Sequence, residues 1–256
     1  MQTLTLAALR QLPAEGVFFA DCRHVLGQPD AGWRAYLAGH WPGAAHLHLD
    51  RDLSSPLDPQ LRGGRHPLPD PGLLGGRLRA LGLTGTDRVV AWDDSGGPFA
   101  ARLWFLLRWL GHERVQVLQG DLGGVTLETG PRRQRARGDW QPDPQPGWLA
   151  AHEEVRARSS AGGLLVDCRA PDRYAGRVEP LDPVAGHIPG AVNHYWRELL
   201  DDGVLRRTPP VSGPDPIFYC GSGVTACVSL LAHRGATGQG RLYVGSWSGW
   251  LAQERA

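Results

Sequence analysis

The sequence predicts an α/β fold built as two tandem copies, each a parallel sheet flanked by helices. Three observations predict it. Short apolar runs of strand type alternate with helical patterns, the same sequence blocks recur in the same order, and an Arg-, Pro- and Gly-rich stretch separates the recurrences. FFADCR at 18–23 returns as LLVDCR at 164–169, and AGHWPGAAH at 38–46 returns as AGHIPGAVN at 185–193. Cys22 and Cys168 lie 146 residues apart, and His40 and His187 lie 147 apart. Two matched blocks at nearly one offset mark two copies of one module. A third pair, DRVVAWDDSGG at 87–97 and DPIFYCGSG at 215–223, sets Asp93 opposite Cys220.

The elements follow in chain order. In the first copy, strand-type runs fall at 17–20, 88–92 and 115–118, with helical patterns at 73–81 and 99–110. In the second, strands fall at 164–167, 217–219 and 242–244, with helices at 153–158 and 224–234. Strands alternating with helices call for parallel pairing, because each return needs a crossover. The domain boundaries read as 1–128, a linker at 129–148, and 149–256. The stretch GPRRQRARGDWQPDPQPG (130–147) has the composition of a solvated connection.

Composition narrows the function. The chain has 256 residues, 41% of them hydrophobic, and ten tryptophans. That is enough for real cores, and 35 Gly with 21 Pro stays short of the disordered range. Lys and Arg number 27 against 26 Asp and Glu. A balance this even does not point to nucleic acid or a membrane surface, both of which reward a basic excess. Every one of those 27 is Arg, so no Lys is available for Schiff-base chemistry. The first residues lack a basic start and an apolar core, and no run of about 18 apolar residues occurs, so a cytoplasmic location with reduced thiols is expected. Cys22, Cys168, Cys220 and Cys227 form no C-x-x-C pair, and neither a metal nor an organic cofactor is expected.

The chemistry concentrates at Cys220. The strand at 217–219 runs into Cys220-Gly221-Ser222-Gly223-Val224-Thr225, which opens a helix. Glycines let successive amides turn inward, and the helix aims its positive end at the same point. A cysteine there is held as a thiolate. Moving a thiol from about 8.5 to about 6.5 takes only ~2.7 kcal/mol and makes the thiolate the majority form at pH 7. Cys22, Cys168 and Cys227 read as packing residues. A thiolate in an anion cradle suits phosphoryl transfer or sulfur transfer through a persulfide. The first needs an Arg six residues on to clamp a phosphate, and that position is Ala226.

These motifs together resemble the tandem-domain rhodanese/sulfurtransferase family, nearly end to end. D-C-R-A followed by A-G-H-I-P-G-A-V-N is similar to the opening signature of a rhodanese domain. C-G-S-G-V-T-A resembles the active-site loop of the 3-mercaptopyruvate sulfurtransferase branch, and G-S-W-S-G-W (245–250) the family's closing motif. The resemblance implies a silent first copy, with Asp93 in the cysteine's place. It implies Arg173 as a substrate-binding cation. The family's second Arg falls near Leu181, which leaves Arg177 as the nearest replacement. It also implies Asp50 and His66 as a relay with Ser222. His40 and His187, which recur in both copies, read as structural.

The expected function is therefore transfer of sulfur from 3-mercaptopyruvate, or thiosulfate, through a Cys220 persulfide to cyanide or another thiol, a thioredoxin-like protein among the acceptors. Gly221 and Ser222 place no charge beside the sulfur, whereas the thiosulfate branch carries cations directly after its Cys. Gly221, Gly223, Val224 and Thr225 would cradle the substrate. Thiosulfate as the main donor, and a non-catalytic persulfide carrier, are the alternatives.

Overall fold

A computed structural model describes residues 2–13, 15–206 and 208–254. The chain divides into two compact units. The first holds 1–55 and 69–145, and the second holds 56–68 and 146–256.

The first unit contains β1 (Thr3–Thr5), α1 (Leu6–Leu9), β2 (Val17–Asp21), α2 (Ala31–Ala38), β3 (Ala45–His46), α3 (Pro71–Ala80), β4 (Arg88–Trp92), α4 (Pro98–Trp109) and β5 (Val115–Gln119). Its sheet runs β1-β5-β4-β2-β3, parallel throughout. β2 and β4 are apolar and buried along most of their length, as strands covered on both faces must be. Every residue of α4 except Arg108 is buried. Each Leu, Phe or Trp taken out of water there contributes about 1.5–3 kcal/mol. Asp70 caps α3 by accepting the Leu73 N–H at 2.8 Å, with Pro71 at the first helical position.

The second unit contains a 3-10 turn at Pro146–Trp148, α5 (His152–Ala161), β6 (Leu165–Asp167), α6 (Pro171–Tyr174), β7 (Val192–Asn193), a 3-10 turn at Trp196–Leu199, the strands β8 (Leu200–Asp201) and β9 (Val204–Leu205), β10 (Ile217–Tyr219), α7 (Ala226–Thr237), β11 (Arg241–Leu242) and α8 (Ser246–Glu254). Its sheet runs β11-β10-β6-β7, again parallel, while β8 and β9 pair as an antiparallel hairpin. The order β5-β4-β2-β3 of the first unit is therefore repeated element for element, with β1 added at one edge.

The repeat extends to side chains. Arg23 forks onto Asp21, with 2.6 Å between Nη2 and Oδ2, and donates to the Gly39 carbonyl at 2.7 Å. Arg169 forks onto Asp167 at 2.6 Å and donates to the Gly186 carbonyl at 2.6 Å. His40 stacks on Tyr36 with ring centroids 4.0 Å apart, and His187 stacks on Tyr174 at 3.9 Å. Each imidazole Nδ1 donates to that tyrosine's carbonyl, at 2.9 and 2.8 Å. These groups tie the strand end to the turn before the next strand, in both copies alike.

The structure adds to the sequence expectations in three places. The stretch at 130–147 is exposed over most of its length, as a solvated connection is, but it is also fastened to the first unit at intervals. Arg132 donates to the Leu81 carbonyl at 2.6 Å, the Gly138 N–H to Arg79 at 2.9 Å and the Asp143 N–H to Leu110 at 2.9 Å. Trp140 is buried. Polar composition suggested solvent, but one indole and a series of backbone bonds strap the segment to the first unit. Conversely, 56–68 leaves the first unit and packs with the second, where the Arg65 N–H donates to Ser248 Oγ at 3.1 Å. The predicted helix at 224–234 begins at Ala226, because the chain between Val224 and Val228 tightens into i→i+3 bonds of 3.0 and 3.1 Å.

The histidine stack is testable. His40→Ala removes the donor to a buried carbonyl and the ring beneath Tyr36. Chemical denaturation should show a loss of about 1–3 kcal/mol, while the alkylation rate of Cys220 changes by less than about twofold, since an unmade buried hydrogen bond costs stability in its own unit and Cys220 belongs to the other.

Candidate active site

Cys220 sits directly after β10 and is almost fully buried. Its backbone is braced from the start of α8. The Cys220 N–H donates to Ser246 Oγ at 3.1 Å, and Ser246 Oγ donates to the Tyr243 carbonyl at 3.0 Å. The Trp247 N–H donates to the Cys220 carbonyl at 2.9 Å, and the Ser248 N–H to that of Gly221 at 3.1 Å. The G-S-W-S-G-W motif is thus the clamp behind the loop. Ser246 accepts a φ of 53° to serve it, an unusual angle for a side-chain-bearing residue.

The loop is shaped around the sulfur. The Gly223 N–H donates to Cys220 Sγ at 3.2 Å. Gly223 has a φ of +77°, and a Cβ there would come within 2.6 Å of the Val244 carbonyl oxygen, so only glycine fits. Burial pushes the Cys220 thiol up, but hydrogen bonds from the Thr225 hydroxyl and the Ala226, Ser222 and Gly223 amides outweigh it, and the net shift is downward. Burial drives the Cys22 and Cys168 thiols the other way, well above the ordinary thiol range. Cys227 Sγ points at the Gly223 carbonyl, 3.3 Å away. None of the four cysteines forms a disulfide. One ring of donors at a strand end therefore separates the thiol that is drawn down, Cys220, from the two that burial pushes up.

The first copy shows the same cradle filled from within. Asp93 Oδ1 accepts the Ser95 and Gly97 N–H groups at 2.8 and 2.9 Å, and Oδ2 accepts those of Phe99 and Ala100 at 2.9 and 2.8 Å. The chain's own carboxylate occupies the anion position. Burial pushes the Asp93 carboxyl up, and its four amides pull it only part of the way back.

Around Cys220 the second unit collects several predicted residues. His66 Nδ1 lies 2.8 Å from Ser222 Oγ, and both side chains are buried. Arg173 bonds Glu179 through Nη2 at 2.6 Å and Nε at 3.3 Å, and reaches Asp182 at 3.4 Å. Its Nη1 and Nη2 both lie 3.4 Å from where a Gly221 Cβ would stand. Glu179, although buried, is drawn below the usual carboxylate range by the Arg173 guanidinium and the Leu181 and Asp182 amides. Val224 is buried beside the loop and Thr225 precedes α7.

Two predicted residues have other partners. The Arg177 side chain is 62% exposed and pairs with Asp172 on the surface. The expectation that Arg177 supplies a second substrate cation gains no support from that position. Asp50 belongs to the first unit, with Oδ2 3.9 Å from both His24 Nε2 and His48 Nδ1. These three are also the group among the described residues that could offer ligands to a metal, their ligand atoms lying within 4.8 Å of one another. His48 is partly committed there: Nε2 donates to the Pro29 carbonyl at 2.7 Å, and Nδ1 accepts the Asp50 N–H at 3.0 Å.

Sequence reasoning missed Arg65, Asp182, Glu179 and Ser246. Ser246 was within reach, since it lies inside a recognised motif. Arg65 had only its neighbour His66 as a signal, because a Gly-rich loop carries no period that says where a side chain goes.

The rhodanese-like domain family matches residues 5–127 and 151–253. The chain is 40% identical over 281 residues to a probable 3-mercaptopyruvate sulfurtransferase of Pseudomonas aeruginosa, covering 100% of this chain and 98% of that one. The crystal structure of SseA from Escherichia coli, described as a 3-mercaptopyruvate sulfotransferase, superposes with a TM-score of 0.82 at 30% identity, over 97% of this chain and 99% of that one. The crystal structure of a probable thiosulfate sulfurtransferase superposes with a TM-score of 0.65 at 29% identity, over 95% and 97%. With two matched domains, a full-length relative and a cysteine loop of the required construction, the chain belongs to the rhodanese-like family, as a tandem-domain sulfurtransferase.

Proposed function

We propose that the chain moves sulfur from 3-mercaptopyruvate, through a persulfide on Cys220, to a thiol or to cyanide. The observation that carries the proposal is the buried Cys220 sulfur inside a ring of donors that lowers its pKa. In the first half-reaction the Cys220 thiolate attacks the donor sulfur. An S–S bond forms, the donor's C–S bond breaks, and the electron pair leaves with carbon as pyruvate enolate. The persulfide's proton passes to that enolate, which leaves as pyruvate, and Cys220 keeps an anionic persulfide. The loop amides that held the thiolate then face the outer sulfur. In the second half-reaction an acceptor thiolate or cyanide takes that sulfur and the Cys220 thiolate returns.

The remaining residues take roles by position. Ser222 and His66, hydrogen bonded to each other, carry the proton between persulfide and enolate, and Asp50 is the proposed carboxylate of that relay. Arg173, at the edge of Gly221, orients the donor carboxylate. Gly221, Gly223, Val224 and Thr225 form the cradle. No helix is long and apolar enough to cross a membrane among the described residues. Four unbridged cysteines suit the reducing cytoplasm, where a thioredoxin-like protein would serve as acceptor.

A second reading has one observation in its favour. Guanidinium groups beside Gly221 also suit thiosulfate, a dianion. Against it, the residues adjoining the sulfur, Gly221 and Ser222, are neutral.

Three outcomes are expected. Donor should add about 32 Da to the intact chain, removable by cyanide, and Cys220→Ser should abolish the gain. Labelling retained in that variant, or mapped to Cys227, would sink the assignment. Parallel kinetics should give a higher kcat/KM for 3-mercaptopyruvate than for thiosulfate; the reverse order would establish the second reading. Finally, alkylation of Cys220 should remain fast below the pH at which ordinary thiols react. Thr225→Val deletes a donor to the thiolate, so the midpoint should move up and the rate at pH 7 fall by about threefold or more.

A further inference from the structure

We propose that His24, His48 and Asp50 form a binding site in the first unit for one divalent cation of the zinc type, built without any cysteine.

The two copies share one frame, so the second copy shows what that frame requires. His24 follows the Asp21–Arg23 fork at the end of β2, and His48 and Asp50 follow β3, the parallel strand paired with it. Ligand sites of open parallel sheets lie at such carboxyl ends of neighbouring strands. At the repeat offsets of 146 and 147 the second copy has Ala170, Tyr195 and Arg197 in their places. The same fork and the same histidine stack form there without any of the three. The fold therefore gives no reason for two imidazoles and a carboxylate to converge in the first copy. Burial makes the convergence costly, since polar ring atoms taken from water need partners.

The geometry is that of a ligand set. The His24 and His48 side chains are 3% and 6% exposed, and that of Asp50 is 47% exposed. His24 Nε2, His48 Nδ1 and a carboxylate oxygen of Asp50 lie within 4.8 Å of one another. Both rings are held in place. His24 sits edge-on to Phe99 and to His48, with centroids 5.3 and 5.2 Å away. The His48 backbone N–H donates to Asp52 Oδ2 at 2.8 Å, and Asp52 Oδ1 is held by Arg77 at 2.8 Å. The His48 Nε2 bond to the Pro29 carbonyl is the kind that fixes the tautomer and aim of a ligating imidazole. It leaves the lone pair on Nδ1, which accepts the Asp50 N–H at 3.0 Å. A cation would take that lone pair in place of the N–H. Ligand atoms about 2.0–2.1 Å from a tetrahedral zinc ion stand about 3.4 Å apart. Asp50 Oδ2, now 3.9 Å from each ring nitrogen, closes that difference by moving in about half an ångström. The buried rings are the fixed half of the site and the exposed carboxylate is the arm that closes it. Two imidazole nitrogens and one carboxylate oxygen suit Zn2+ with water in the fourth position, whereas Mg2+ and Ca2+ demand oxygen and Cu(I) sulfur.

A cation here would occupy the carboxylate assigned above to the relay, so the test reads binding and not turnover. The full chain is titrated with Co2+ as a spectroscopic substitute for Zn2+, in the wild type and in Cys220→Ser. Both should take up one Co2+ per chain, with the intense visible bands of four-coordination, no thiolate-to-metal charge-transfer band, and displacement by Zn2+. His24→Gln and Asp50→Asn should each weaken binding at least about tenfold, since even the loss of an outer-shell partner costs 10–100-fold. Asp50 is exposed, so Asp50→Asn tests the site even where the buried His24→Gln fails to fold. Failure of the wild type to take up Co2+, pale six-coordinate bands untouched by Asp50→Asn, or binding lost altogether in Cys220→Ser would overturn the site.

Discussion

A ring of backbone N–H groups turned inward at the end of a parallel strand must find an anion. Buried donors without acceptors cost more than the fold could absorb twice over. The two copies meet the requirement differently. After β10 the acceptor is the sulfur of Cys220, so the fold itself favours the thiolate. After β4 it is the carboxylate of Asp93, which satisfies four amides and closes the position to any other anion. A sulfur in one copy and a carboxylate in the other are two answers to one constraint.

The frame that presents the ring is the same in both copies. The Asp21–Arg23 and Asp167–Arg169 forks close the first strand's end, and the His40–Tyr36 and His187–Tyr174 stacks fix the turn leading to the next. A buried ion pair is rarely a large source of stability by itself, but it specifies one geometry, because a lost partner leaves a buried charge. Here each Arg also donates to a carbonyl of the following turn, which converts an ion pair into a register pin. The chemistry differs between copies only where the frame ends and the loop begins.

Cations near the nucleophile are managed with equal care. Arg65 and Arg173 stand at Gly221 with Asp182 and Glu179 behind them, so charge at the site is oriented and partly offset rather than left as a bare field. Arg169 continues the network to Glu179 at 3.2 Å. The absence of Lys from the chain makes every such contact a planar fork, suited to carboxylates.

The repeat, the parallel α/β character and the Cys220 loop were legible in the sequence, because each rests on local or periodic information. Strand runs at 88–92 and 217–219, a Gly-rich turn and a helix start are written in consecutive residues. So was the equivalence of Asp93 and Cys220, since an offset can be counted. The resemblance named Ser222 and His66 as partners, but only the fold brings side chains 156 residues apart to 2.8 Å. Nor could spacing show that Arg65, and not Arg177, stands beside Gly221. Arg177 is close in sequence to Arg173, yet its helix end turns it to solvent and Asp172, while Arg65 arrives from the 56–68 loop, which belongs to the same second unit. Likewise 130–145 reads as linker by composition and becomes a strap once Trp140 finds a place to bury. Local propensity and repetition determine which elements form and which cysteine stands at the strand end before the Gly-rich loop. Long-range packing decides which charges surround it, because a loop's destination is set by the surface it meets and not by its own pattern.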